Sequence, residues 1–192
     1  MNDPEIRKSF HRKRLNWHHA QQNTLVIDEL GLNHGRCRAD IAVINGHFVG
    51  YEIKGNNDSL RRLEEQVKSY TAVFDRISVV VGVRHINAIE KHVPYWWGVI
   101  VSLRGPRGAV NFDTVREPQL NRNVDPISLA RLLWRNEAEE ILRQKGLSSR
   151  VLRQPRAILY EYLVEMLNTR ELQTLVRTYF KKRKNWRYLQ AL

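Results

Sequence analysis

Hydrophobic and polar positions change period several times along the chain, and each change marks an element. Ile6, Phe10, Leu15 and Trp17 recur at loose helical spacing and suggest a first helix over residues 4–20. Residues 24–30 read as a strand. Residues 40–45 and 47–55 read as two strands joined at Asn45-Gly46, a strong turn signal. Leu60, Leu63, Val67, Tyr70 and Phe74 then step by three and four, as on one helix face, with Asn57 or Asp58 available as cap. The unbroken apolar run 77–82 has the pattern of a strand buried on both faces. A short helix over 86–92 and an apolar strand over 96–103 follow. The order helix, three strands, helix, strand, helix, strand predicts an α/β layer.

From residue 104 to 124 the chain is rich in Gly, Pro, Asn and Arg and reads as loops around one short strand. Asp125-Pro126 is a helix start, with the acid as cap and proline in the first turn. Leu129, Leu132, Leu133, Ile141 and Leu142 predict one amphipathic helix ending near Gly146. Two further stripes follow: Ile158, Leu159, Tyr162, Leu163, Met166 and Leu167, then Leu172, Leu175, Val176, Tyr179 and Phe180. The pattern divides the chain into an α/β part, residues 1–117, and a mostly helical part, residues 118–192.

The hydrophobic content of 42% and charged content of 27% over 192 residues are those of a soluble globular protein. The N-terminal residues lack the apolar core of a signal peptide, and no apolar run approaches the roughly 20 residues that span a bilayer. The one cysteine, Cys37, cannot form an internal disulfide, which suits a reducing cytoplasm. The histidines fall into no zinc spacing. The net charge is +12, and residues 143–192 carry 12 Lys or Arg against 3 Glu. Such a basic region attracts polyanions, with nucleic acid the commonest, or is a solvated basic helix.

Charge on the apolar hairpin changes the picture most. Asp40, Glu52 and Lys54 stand on strands that otherwise carry apolar side chains, where charge is costly unless compensated. Glu52 and Lys54 share a face, since side chains alternate along a strand. A two-residue turn would pair Ile44 with His47 and send Asp40 to the other face. A three-residue turn over Ile44-Asn45-Gly46, with Gly46 left-handed in a bulge, pairs Val43 with His47. Asp40 then lies diagonal to Glu52 on the same face, and this is the turn expected. Two carboxylates beside an ammonium offer oxygen ligands suited to Mg²⁺ or Mn²⁺. The plainer alternative is a salt bridge from Lys54 to Asp40 or Glu52.

Asp40, an eleven-residue gap and Glu52-Ile53-Lys54 after a β-turn resemble the PD-(D/E)XK nuclease superfamily. The following helix carries Gln66-x-x-x-Tyr70, similar to a motif of its RecB-like branch. The wider run from Glu29 through Gly35 to Asn45 resembles a bacterial family of small stand-alone proteins of this type. The resemblance covers roughly residues 1–103, and Ala39 stands where the superfamily is named for proline. It implies a restriction-endonuclease-like core of helix, β-meander, helix and strands. It implies metal bound by Asp40, Glu52 and the Ile53 carbonyl, with Lys54 as catalytic lysine. A further acid is expected from Glu29, with Glu5 as the rival. Gln66 and Tyr70 would contact DNA or brace the lysine; otherwise they are a surface Gln and a core Tyr.

The C-terminal run interleaves aromatic and basic residues. Lys181, Lys182, Arg183, Lys184 and Arg187 are candidate nucleic-acid contacts, or the bases of a helix that only faces water. The sequence thus predicts a metal-dependent deoxyribonuclease of DNA repair, defence or mobile elements. Alternatives are a DNA-binding module without turnover and a protein-binding adaptor.

Overall fold

The computed structural model describes residues 1–183. Asp3–Arg14 form α1. Asn2 starts it, its side chain accepting the Glu5 N–H at 3.1 Å, with Pro4 in the first turn where a missing N–H costs little. A short α2, Asn16–His19, follows. β1 (Leu25–Leu32), β2 (Cys37–Ile44) and β3 (Phe48–Lys54) form an antiparallel meander. α3 (Leu63–Thr71) crosses to β4 (Arg76–Gly82), which runs parallel to β3. α4 (Ile86–Ile89) leads to β5 (Gly98–Arg104), parallel to β4, and β6 (Val110–Arg116) returns antiparallel. The six strands lie in sequence order in one sheet. The remaining helices are α5 (Pro126–Ala130), α6 (Arg135–Gln144), α7 (Ser149–Leu152), α8 (Arg156–Met166) and α9 (Thr169–Lys182).

Strand alternation sorts the sheet's side chains into two cores. Ile6 and Phe10 of α1 pack with Ile41, Val43, Ile53, Val80 and Ile100 on one face. On the other, Ala42, Ile44, Phe48, Val79 and Val81 meet Tyr70 of α3 and the C-terminal helices through Leu129, Leu163, Val176 and Phe180. β4 is therefore buried on both faces, as its unbroken apolar run requires. The helices beyond residue 125 share one continuous hydrophobic cluster with the sheet. Asp75 adds a polar tie: it accepts the Phe48 N–H at 2.7 Å and the Gln173 amide of α9 at 2.7 Å. Among the described residues no helix is long and apolar enough to cross a membrane.

Four expectations are corrected. The hairpin turn has three residues, but they are Asn45-Gly46-His47, since Ile44 pairs with Phe48 and Ile41 with Tyr51. Gly46 is not left-handed; Asn45 holds the turn by accepting the His47 N–H on its side chain at 3.2 Å. The helix expected from Leu60 starts at Leu63 and ends at Thr71, because Asp58 gives its carboxylate to the Gly55 N–H at 2.7 Å and caps no helix. The single helix expected over Leu129–Leu142 is two, α5 and α6, broken at Trp134, whose extended backbone donates its N–H to Glu137 at 2.7 Å. α7 was not anticipated. Asp125 does cap α5, accepting the Ser128 N–H at 2.9 Å, and Gly146 is left-handed just beyond α6.

Candidate functional site

The observed hairpin register, continued one residue past Ile41↔Tyr51, sets Asp40 opposite Glu52. The two acids share a face, as the sequence required, and stand nearer than the diagonal expected. Glu52 is 1% exposed, so its charge depends on protein partners. It has three. Lys54 Nζ lies 2.6 Å from Oε1, and Gln66 donates its side-chain N–H to the same oxygen at 2.5 Å. The Tyr70 hydroxyl donates to Oε2 and accepts the Asp40 N–H at 3.0 Å. Gln66 and Tyr70 stand one turn apart on α3, which is how both reach one carboxylate. Gln66 Oε1 is buried without a hydrogen-bond partner.

Asp40 is held from two sides. Ile53 donates its N–H to Oδ2 at 2.7 Å, so Ile53 meets the site through its amide. Arg7 of α1 lies 2.9 Å from Oδ1 and also donates to the Asp40 carbonyl at 2.8 Å. Burial and the neighbouring Glu52 charge push the Asp40 carboxyl up to about 7, against the pull of Ile53 and Arg7. Burial, and then Glu52, push the Tyr70 hydroxyl well above its ordinary value, so it remains a donor. Burial opposes the charge on Arg7, but Asp40, Asp3 and Glu29 outweigh it and raise its pKa.

Glu29 joins this group and Glu5 does not. In the β1–β2 register Glu29 falls opposite Asp40, between the pairs Asp28↔Ile41 and Leu30↔Ala39. Its backbone is left-handed, φ 54°, which interrupts the ladder. The inward set changes parity there, from Ile27 before it to Leu30 and Leu32 after it. Glu29 shares the Arg7 guanidinium with Asp40, at 2.8 Å from Oε1. Glu5 instead pairs with Arg104 at 2.6 Å.

A cleft of about 540 Å³ opens beside the acids, lined by Glu29, Arg36, Arg38, Asp40, Arg62 and Gln66 among others. Its arginines went unread, although the signal was present. Arg38 precedes Asp40 on β2 by a two-residue step, Arg36 sits in the turn just before that strand, and Arg62 lies one turn before Gln66. Arg7 had no comparable signal, since nothing in a loose helix pattern points it at β2.

Of the expected C-terminal contacts, Lys181, Lys182 and Arg183 do not line this cleft. The Arg183 guanidinium is buried against Glu137 and packed on the Trp134 and Phe180 rings, each centroid 4.3 Å away. Lys181 and Lys182 are exposed, with Lys182 over the Tyr179 ring. Lys184 and Arg187 lie outside the described residues.

Asp40, Glu52 and the unpartnered Gln66 Oε1 form a hard oxygen set of the kind Mg²⁺ or Mn²⁺ prefers. The raised Asp40 pKa reports burial first and then repulsion from Glu52, and a cation would relieve the second. The donor chemistry suits a metal, while every oxygen of the two acids already has a protein partner: Arg7 and Ile53 on Asp40, and Lys54, Gln66 and Tyr70 on Glu52. Among the described residues no group of three or more His, Cys, Asp or Glu is arranged to hold an ion.

The class is a mixed α/β fold in which a buried Glu52–Lys54 pair lies next to Asp40 and Gln66, which line a cleft with arginines. The chain belongs to the bacteriophage P4 protein cII family, whose model matches residues 3–192. It is 26% identical over 123 residues to protein cII of Enterobacteria phage P4. That match covers 64% of this chain and 46% of the phage protein, so it spans about half the relative's length. No solved structure matches the chain.

Proposed function

We propose that this chain is a metal-dependent deoxyribonuclease with a restriction-endonuclease-like core, acting on DNA in the cytoplasm. One observation carries the reading. Glu52, buried at the end of β3, holds Lys54 at 2.6 Å and lies opposite Asp40, which itself lines a cleft together with three arginines. The meander, the α3 crossover and parallel β4 follow the order that the superfamily resemblance implies.

Each residue has a task under this reading. Arg36, Arg38 and Arg62 neutralise phosphates along the cleft. Gln66 and Tyr70 fix the Glu52 carboxylate, so that Lys54 projects from a rigid strand end. The Lys54 ammonium stabilises charge developing on the scissile phosphate or orients the attacking water. Mg²⁺ or Mn²⁺ held by Asp40 and Glu52, with Glu29 and the Ile53 carbonyl as further ligands, would polarise the phosphoryl group and acidify a bound water. The products would be a 5′-phosphate and a 3′-hydroxyl, as the superfamily implies. A relative encoded by a phage favours a role on mobile DNA over general repair.

A second reading, a DNA-binding module without turnover, draws on a specific feature. Arg7, Ile53, Lys54, Gln66 and Tyr70 already engage every carboxylate oxygen of Asp40 and Glu52. Incubation with supercoiled and single-stranded DNA, with Mg²⁺, Mn²⁺ or EDTA, separates the two. Nuclease action requires metal-dependent cleavage lost in Lys54→Ala and Asp40→Ala. Retention of DNA without cleavage under every metal condition supports the module. Cleavage that survives both substitutions removes the proposed site.

A further inference from the structure

Among the described residues, Arg7 is the cation that bridges α1 to the acid cluster, and its contacts are those of a counter-ion. Its Nη2 lies 2.9 Å from Asp40 Oδ1, its Nη1 2.8 Å from Glu29 Oε1, and its Nε 3.2 Å from Asp3 Oδ1. The side chain is 17% exposed, so solvent screens these contacts only in part. α1 brings it there by an anchored start: the Met1 carbonyl accepts the Asn56 N–H at 3.1 Å, directly after the Lys54 strand end. Glu29 reaches the guanidinium from a left-handed backbone that a glutamate rarely adopts, strain of the sort found at working sites.

We propose that Arg7 is a built-in competitor for the divalent cation: it neutralises Asp40 when no metal is loaded and must release Oδ1 when one is. This rests on the metal-dependent reading above. A divalent ion on Asp40 and a guanidinium within hydrogen-bond distance of the same carboxylate repel each other, so the two are alternatives. The released side chain has somewhere to go. Asp3, 30% exposed, keeps it paired and lets Arg7 swing toward solvent without moving α1, while Asp40 and Glu29 turn to the cation. The arrangement sets a threshold, because metal loads only where its gain exceeds the Arg7–Asp40 contact. Arg7 is thus a positioning residue acting through Asp40, distinct from Lys54.

The test is Mn²⁺ binding to the full chain, read by calorimetry and by the electron paramagnetic resonance signal of free Mn²⁺, with no DNA present. Wild type is compared with Arg7→Met, Arg7→Gln and Asp40→Asn, each checked for folding by circular dichroism. Arg7→Gln retains hydrogen bonding without charge, and serves if Arg7→Met does not fold. The expected result is at least tenfold tighter Mn²⁺ binding in the Arg7 variants and loss of binding in Asp40→Asn. Unchanged or weaker binding in folded Arg7 variants, with binding still lost in Asp40→Asn, overturns the competition and leaves the metal reading standing. Absence of Mn²⁺ binding in wild type and in both Arg7 variants overturns the metal reading itself.

Discussion

Arg183 meets Glu137 fork to fork, at 2.7 Å from Nε to Oε1 and 2.5 Å from Nη2 to Oε2. Both side chains are about 5% exposed, and the same guanidinium donates to the Leu132 carbonyl at 2.9 Å. The pair thereby locks the end of α9 to the start of α6 and to the turn between α5 and α6. Removing one partner leaves the other charge buried, which typically costs about 3–5 kcal/mol. Glu137→Gln is expected to lower unfolding free energy in urea by about that amount. Since Arg183 is spent on Glu137, DNA retention by the folded variant should be close to wild type. A fall in DNA affinity larger than the change in folded fraction would return Arg183 to the nucleic-acid surface.

Tyr70→Phe tests whether the hydroxyl, and not the ring, braces the site. The ring packs against Phe74 and Trp97, with centroids 5.3 and 5.7 Å away, and phenylalanine retains that packing. What is lost is the hydroxyl that joins the Asp40 N–H to the Glu52 carboxylate. Both groups would then be buried with one partner fewer, at a cost of about 1–3 kcal/mol. Chemical denaturation should show that loss, while near-ultraviolet circular dichroism of the aromatic cluster stays near wild type. A stability unchanged within error would mean that water replaces the hydroxyl and that Tyr70 is only a core residue.

Gly50 faces the Phe74 ring, in the turn between α3 and β4. A Cβ built there falls 2.7 Å from that ring, which is itself fully buried. Gly50→Ala should therefore push β3 and Phe74 apart and destabilise by about 1–3 kcal/mol. Gly46, three residues before β3 reaches Val49, has nothing within 4 Å and an ordinary backbone. Gly46→Ala should be neutral or slightly stabilising, because it narrows the unfolded ensemble. Thermal melts of the two variants make the comparison, and equal melting temperatures would contradict it.

These cases also show what the sequence could and could not disclose. The strands, α3 and the Asp125 cap were legible because each rests on a local rule: period, β-branching, a capping side chain. That Asp40 shares a face with Glu52 was legible from parity alone, although the turn residues were assigned one position early. Parity survived because moving a three-residue turn by one position shifts the pairing by two residues. Glu29 stands beside Asp40 and Glu5 does not, but the left-handed backbone of Glu29 has no signal in a run as regular as Leu-Val-Ile-Asp-Glu-Leu. Arg7 and the Arg183–Glu137 pair were illegible because each depends on tertiary placement across 33 and 46 residues. Basic residues near a chain end invite a solvent-facing reading, and Arg183 shows a buried acid overriding it.

The Asp40 carboxyl contributes its own pH dependence to the metal-free protein. Burial, and then the Glu52 charge, raise it from 3.8 to about 7 in the fold. Below pH 4 both folded and unfolded states carry the proton, and Asp40 costs nothing. Between pH 4 and 7 the unfolded chain releases its proton while the folded state keeps it, so the unfolded state binds fewer protons and stability declines as pH rises. Above pH 7 both are ionised and the decline stops. Asp40→Asn removes this titration. It also exchanges a carboxylate for an amide against Arg7 and the Ile53 N–H, so its absolute stability is not the measure. The measure is the difference in unfolding free energy between wild type and Asp40→Asn, followed from pH 4.5 to 8 in urea without divalent ions. That difference should shift progressively in favour of the variant up to about pH 7 and then level off. A difference independent of pH would place the Asp40 pKa at its ordinary value and show that Arg7 and the Ile53 amide fully offset burial and Glu52.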